Sequence, residues 1–151
     1  DLSEILEAQS LYWNDDLETI STFVLKTIKR FDQSKGAEQE LLPMFKDDED
    51  AEFAKMLFRK TLMNVDVNKA LIDQHTKNWE IDRVAFMDIV IMLVAIAEIK
   101  SFPTIPVKVT LNEYIEIAKA YSTIKSGHFI NGILDAIASQ LKKDGSLVGK
   151  V

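Results

Sequence analysis

Side chains able to do chemistry are few in this sequence. His75 and His128 are its only imidazoles, they stand far apart, and there is no cysteine. Without thiolates or a paired-histidine spacing, no zinc-type donor set can be assembled, and no metal is expected. The glycine-rich phosphate loops, the dinucleotide fingerprint and the serine nucleophile elbow are all missing. Acidic residues abound, but carboxylates on helix surfaces are ordinarily solvated faces rather than acid–base pairs. An enzyme and a cofactor are therefore not expected. One acid is placed differently: Asp88 interrupts the apolar run Val84–Ala97. Either it sits at the rim of the core and hydrogen-bonds a neighbouring loop, which is the simpler reading, or it serves a surface. Tyr12-Trp13 and Asn78-Trp79 could stack on bases, although such aromatics more often anchor a core or a hinge.

The segment Tyr121–Asp135 gathers more. It reads Tyr-Ser-Thr-Ile-Lys-Ser-Gly-His-Phe-Ile-Asn-Gly-Ile-Leu-Asp. Lys125 and His128 fall together at a helix start, whose unpaired N–H groups favour anions. Phe129 follows in the first turn, where an aromatic ring can stack on an unpaired base. Asn131-Gly132 would ordinarily signal a hairpin turn. Yet Ile130, Ile133, Leu134 and Ile137 keep helical spacing through it. A glycine inside a helix costs about 1 kcal/mol relative to alanine. Gly132 is thus expected to permit close approach of another helix or of a ligand. On the residues alone two readings stay open: Phe129 belongs to the core with Lys125 and His128 as caps, or the three form an RNA-binding surface.

The elements that must position these residues are helical throughout. Apolar positions repeat at three and four in Leu2–Trp13 and in Leu17–Phe31. Asp47-Asp48-Glu49-Asp50 reads as an acid-rich helix start ahead of Phe53, Met56, Leu57 and Leu62. Asn64 or Asp66 is expected to cap a short helix through Asn78. Asp82 is expected to cap Arg83–Lys100, which is apolar nearly all round and should lie at the centre. Pro103 and Pro106 stop it and restart the chain as Val107–Tyr121, with Leu111, Ile115 and Ala118 inward. Gly127–Lys143 is the last helix. No strand-like alternation persists, so the spacing predicts an all-α bundle of about seven helices. The organisation expected is an acidic helical segment 1–46, a helical domain 47–143 and a flexible tail 144–151.

With 47% hydrophobic and 28% charged residues among 151, the composition is that of an ordinary globular chain able to bury a core. The longest apolar run is shorter than the roughly 20 residues a bilayer needs, so no membrane span and a cytoplasmic location are expected. The net charge of −6 is uneven. Residues 1–60 hold fourteen acids against eight bases, whereas residues 61–151 hold ten of each. Nucleic-acid affinity rests largely on neutralising phosphates, so charge disfavours it at the front and permits it at the back.

Two linked stretches then resemble the NusB family of bacterial transcription antitermination factors. They are Ile105-Pro-Val-Lys-Val-Thr-Leu-Asn-Glu-Tyr-Ile-Glu-Ile-Ala-Lys119 and Lys125-Ser-Gly-His-Phe-Ile-Asn-Gly-Ile-Leu-Asp135. Ala97-Glu98-Ile99 also resembles the aromatic-Glu-Leu that ends the family's central helix. The likeness is strong over Asp50–Leu141 and weak before it. It implies an all-α fold of two helical subbundles. It also implies binding of the single-stranded boxA element of ribosomal-RNA leader transcripts, jointly with the ribosomal protein that doubles as NusE, within the antitermination complex of RNA polymerase. By position, Phe129 corresponds to the family's RNA-contacting aromatic, Ser126 and Asn131 to their counterparts, and Asp88 to an acid near the RNA and partner surfaces.

The departures shape a second expectation. His128 stands where the family usually has lysine, and its charge depends on pH. The family's first helix is arginine-rich, whereas Leu2–Trp13 has neither lysine nor arginine. Because the sequence opens on Asp1 rather than methionine, the basic helix is expected upstream in a longer parent chain. The alternative is a NusB-like protein-interaction module with little RNA affinity. The family's fusions to ribosomal-RNA cytosine methyltransferases find no support, since nothing here supplies a cofactor-binding α/β unit.

Overall fold

A computed structural model of the chain describes residues 17–39, 42–43, 45, 47–76, 84–123 and 125–147. Among these are six α-helices, one 3-10 helix and no strand, so the all-α expectation holds. The expected Leu2–Trp13 helix, Trp79 and the Asp82 cap lie outside the described residues. The chain divides into two compact units, Asp1–Asp50 and Ala51–Val151.

In the first unit, α1 spans Leu17–Lys29 and ends on Lys26 and Lys29, cations placed against the negative end of the helix dipole. Lys26 Nζ lies 5.7 Å above the centre of the Phe23 ring. Asp32 then caps a 3-10 helix, Gln33–Glu38: its carboxylate accepts from the Ser34 N–H at 2.9 Å and from the Ser34 hydroxyl at 2.6 Å. Those two donors, the hydroxyl foremost, hold the Asp32 carboxyl below its ordinary pKa. Gly36 follows at φ 51°, a left-handed conformation that a residue without Cβ takes at little cost.

Helix α2, Asp48–Met63, starts as the acidic run implied, with Asp47 Oδ1 accepting the Asp50 N–H at 3.0 Å. Helix α3 covers Val65–His75, shorter than expected. Asn64 occupies its N-cap position but does not cap it, because its Nδ2 donates backward to the Lys60 carbonyl at 2.8 Å. The side chain thereby closes α2 instead of opening α3. At the far end Thr76 Oγ1 donates to the Ile72 carbonyl at 2.9 Å, satisfying a buried hydroxyl.

Helix α4 is Phe86–Ser101, and it is the centre of the second unit. It packs against α3, against α5 (Val107–Tyr121) and against α6 (Ser126–Lys143). Ile91, Met92, Ala95, Ile96 and Ile99 join Leu111, Tyr114 and Ala118 of α5 and Ile130, Leu134, Ile137 and Leu141 of α6 in one core. On α5 the buried stripe is Leu111, Tyr114 and Ala118, with Ile115 half-buried, so the inward face is turned slightly from the one expected. Side-chain bonds link the helices: Tyr114 Oη donates to Glu98 Oε2 at 2.9 Å, and Lys100 Nζ to Asn68 Oδ1 at 3.1 Å. His75 Nε2 meets Gln140 Oε1 at 2.6 Å. Burial, and then the neighbouring Glu98 charge, raise the Tyr114 phenol above its ordinary pKa, so it remains a donor.

Helix α6 ends in a two-bond C-terminal motif. Ser146 N–H reaches the Leu141 carbonyl at 2.9 Å and Gly145 N–H the Lys142 carbonyl at 3.3 Å, with Gly145 at φ 70°. Leu147 folds back onto the core. Because Ile96 is fully enclosed, Ile96→Ala should lower unfolding free energy by about 2–5 kcal/mol. Denaturant titration followed by circular dichroism reads this, and a loss under about 1 kcal/mol would contradict the central placement of α4.

Candidate functional site

The corner between α5 and α6 is built from hydroxyls around one carboxylate. Asp88 sits in the first turn of α4, where the helix dipole favours an anion, and it is 5% exposed. Ser122, which ends α5, donates its hydroxyl to Asp88 Oδ1 in a short contact. Ser126, the first residue of α6, donates to Asp88 Oδ2 at 3.0 Å and is 1% exposed. Thr123 completes the set: its N–H donates to Ser126 Oγ at 3.1 Å, and the two hydroxyl oxygens lie 2.7 Å apart. A buried carboxylate is costly unless its lone pairs are matched. Here a separate hydroxyl serves each oxygen, one from either side of the corner.

This arrangement sorts the residues singled out in the sequence. Asp88 and Ser126 are brought together, but beneath the surface, where Asp88 hydrogen-bonds a neighbouring loop as the simpler reading held. Lys125, His128 and Asn131 are exposed. Spaced three residues apart, they follow one another along the outer face of α6. Lys125 occupies the N-cap position without a side-chain capping bond, so its ammonium is not engaged as a cap. Phe129 is half-buried: its ring packs against the core, as the core reading held, while part of it stays at the surface. Ser122 and Thr123 were missed by the sequence reading. The available signal was a run of hydroxyl residues, Ser122, Thr123 and Ser126, awaiting the lone acid of an apolar helix.

The two glycines of the segment are placed differently. Gly127 is buried, and a Cβ there would lie 3.5 Å from Lys119 Cγ and 3.7 Å from Ile115 Cγ2 on α5. Gly132, expected to admit a neighbouring helix, is exposed, and nothing lies within 4 Å of a Cβ built on it. Among the described residues, no other helix comes within 4 Å of that point.

Against known proteins, the model of the NusB family matches residues 15–139, which hold this corner, all of α4 and α5, and most of α6. The chain belongs to the NusB family. Its kinship to NusB proteins is close: the Transcription antitermination protein NusB of Salinibacter ruber is 41% identical over 130 residues, covering 82% of this chain and 81% of that protein. The one from Chloroherpeton thalassium is 42% identical over 96 residues, covering 64% of this chain and 46% of its own length. Among solved structures, T. maritima NusB superposes with a TM-score of 0.60 at 33% identity, covering 78% of this chain and 82% of that one. The match to the NusB family thus reaches further toward the N terminus than the quoted motifs, into the acid-rich part.

Among the described residues no group of histidines and carboxylates could hold a metal ion. What the corner can do is hold the start of α6 rigid while presenting a cation, an imidazole, an amide and part of an aromatic ring. Removing the carboxylate tests the first part. Asp88→Ala should cost about 1.5–3 kcal/mol, since the buried Ser126 hydroxyl and the half-buried Ser122 hydroxyl lose a charged acceptor, with faster amide exchange at Ser122–Phe129. Asp88→Asn, which keeps one acceptor, should fall between. Unchanged exchange protection across the corner would show that Asp88 does not pin it.

Proposed function

We infer that this chain is a transcription antitermination factor that binds a boxA-like single-stranded RNA of ribosomal-RNA leader transcripts together with NusE. The observation that carries the reading is the outer face of α6, where Lys125, His128 and Asn131 stand exposed beside the half-buried Phe129. A base can stack on the free part of the ring, whose other part is braced by the core. Lys125 and His128 suit phosphate oxygens, and the Asn131 amide suits a base edge or a 2′-hydroxyl. Ser126 and Asp88 act one step removed, by holding the helix start in place. Family membership supports the assignment to antitermination, with the RNA polymerase antitermination complex as the setting. No helix among the described residues is long and apolar enough to cross a membrane, which fits a factor acting on transcripts in the cytoplasm.

A second reading, a protein-interaction module with little RNA affinity, is favoured by one specific observation. Residues 1–60 carry a surplus of six acids, and that field repels phosphate.

Titration of a labelled boxA-like RNA with the full chain, with and without NusE and across a salt series, separates the two. The first reading requires binding that weakens with salt; a flat response, or no binding in either condition, leaves the second. Within the first, Phe129→Ala should lose about 1–3 kcal/mol of affinity while the protein stays folded. Lys125→Ala should reduce the steepness of the salt dependence by about 0.7. Unchanged RNA affinity in folded Phe129→Ala would remove that ring from the interface.

A further inference from the structure

Gly132 lies in the interior of α6, exposed, with nothing within 4 Å of a Cβ built on it. It is not among the glycines with positive φ, so no left-handed turn requires it. Packing among the described residues does not require it either, in contrast to Gly127, which is buried against α5. Alanine would make the better helix at such a position. Its helical neighbours one turn earlier are His128 and Phe129, and Asn131 directly precedes it. The bare stretch of backbone is therefore surrounded by the imidazole, the ring and the amide of the proposed surface. A ligand resting on His128 and Phe129, four and three residues earlier, also reaches Gly132.

We propose that Gly132 is the point of closest approach of the RNA strand to the protein. Without a side chain, the helix lets the ribose–phosphate chain that continues from a base on Phe129 rest directly on its backbone. This rests on the RNA reading of α6 and adds to it a steric element that selects for a single, unpaired strand. RNA is favoured over a protein partner because the bordering groups are a phosphate-pairing imidazole, a stacking ring and a hydrogen-bonding amide, with Lys125 one turn before Phe129.

The test uses the full chain, Gly132→Ala and Gly132→Gln, each titrated with a fluorescently labelled boxA-like single strand and separately with NusE. Both variants should fold, since the position is open, and Gly132→Ala should melt about 2 °C higher. RNA affinity should fall roughly tenfold for alanine and further for glutamine, with NusE affinity unchanged. Variants that bind RNA as tightly as the unsubstituted chain overturn the proposal and leave the RNA reading standing. Retained RNA affinity with lost NusE binding overturns it too, and assigns the face to a protein. Failure of the unsubstituted chain to bind RNA, alone or with NusE, overturns the RNA reading and this inference together.

Discussion

An α-helix with apolar residues on every side has no face it can leave in water, so other elements must enclose it. In Phe86–Ser101 that requirement is met by α3, α5 and α6, and the core is the set of side chains that surround Met92, Ala95 and Ile96. Burying such side chains contributes about 1.5–3 kcal/mol for each large residue. The neighbours share the constraint: α5 and α6 each turn a three-and-four stripe inward and leave their other faces to solvent. The outer face of α6 is wet because its inner face, from Ile130 to Leu141, is committed to α4.

Enclosure makes any polar group on α4 expensive, and the two buried acids are matched in different ways. Asp88 stands at the positive end of the helix dipole and receives the hydroxyls of Ser122 and Ser126. Glu98 lies in the last turns, where the dipole disfavours an anion, and the buried phenol of Tyr114 donates to it. Each acid fixes a distant segment to the central helix. Glu98 fixes the middle of α5, and Asp88 fixes the corner from which α6 departs. The stability of the core and the order of the candidate site are thus connected through Asp88: the same burial that makes its charge costly makes the corner's hydroxyls obligatory.

The surface so held is modest in charge. Among the described residues singled out on that face, Lys125 is the permanent cation, and His128 contributes an imidazole. In the RNA reading proposed above, contact chemistry carries more than a long-range field: stacking on Phe129, hydrogen bonding at Asn131, and close approach along Gly132. Such a balance suits the proposed short single strand better than a duplex gripped by its phosphates.

The sequence by itself determined that the chain is helical and, for most of the described helices, roughly which stripe is buried. Val107–Tyr121 is bounded as Pro106 and the apolar spacing implied, α2 starts in the acidic run as expected, and α4 is central because its composition allows nothing else. These features depend on contacts within about four residues. The likeness of Lys125–Asp135 to a family motif located the candidate surface from the same local string. Only the tertiary structure decided which motif residues face outward. Asp88 meets Ser122 and Ser126 across 34 and 38 residues of chain. Asn64 turns back to α2, and Gly132 opens to solvent while Gly127 takes the packed position. Each of these depends on how one helix is rotated against another, and a few degrees of rotation move a side chain from core to surface without changing the periodicity that the sequence displays.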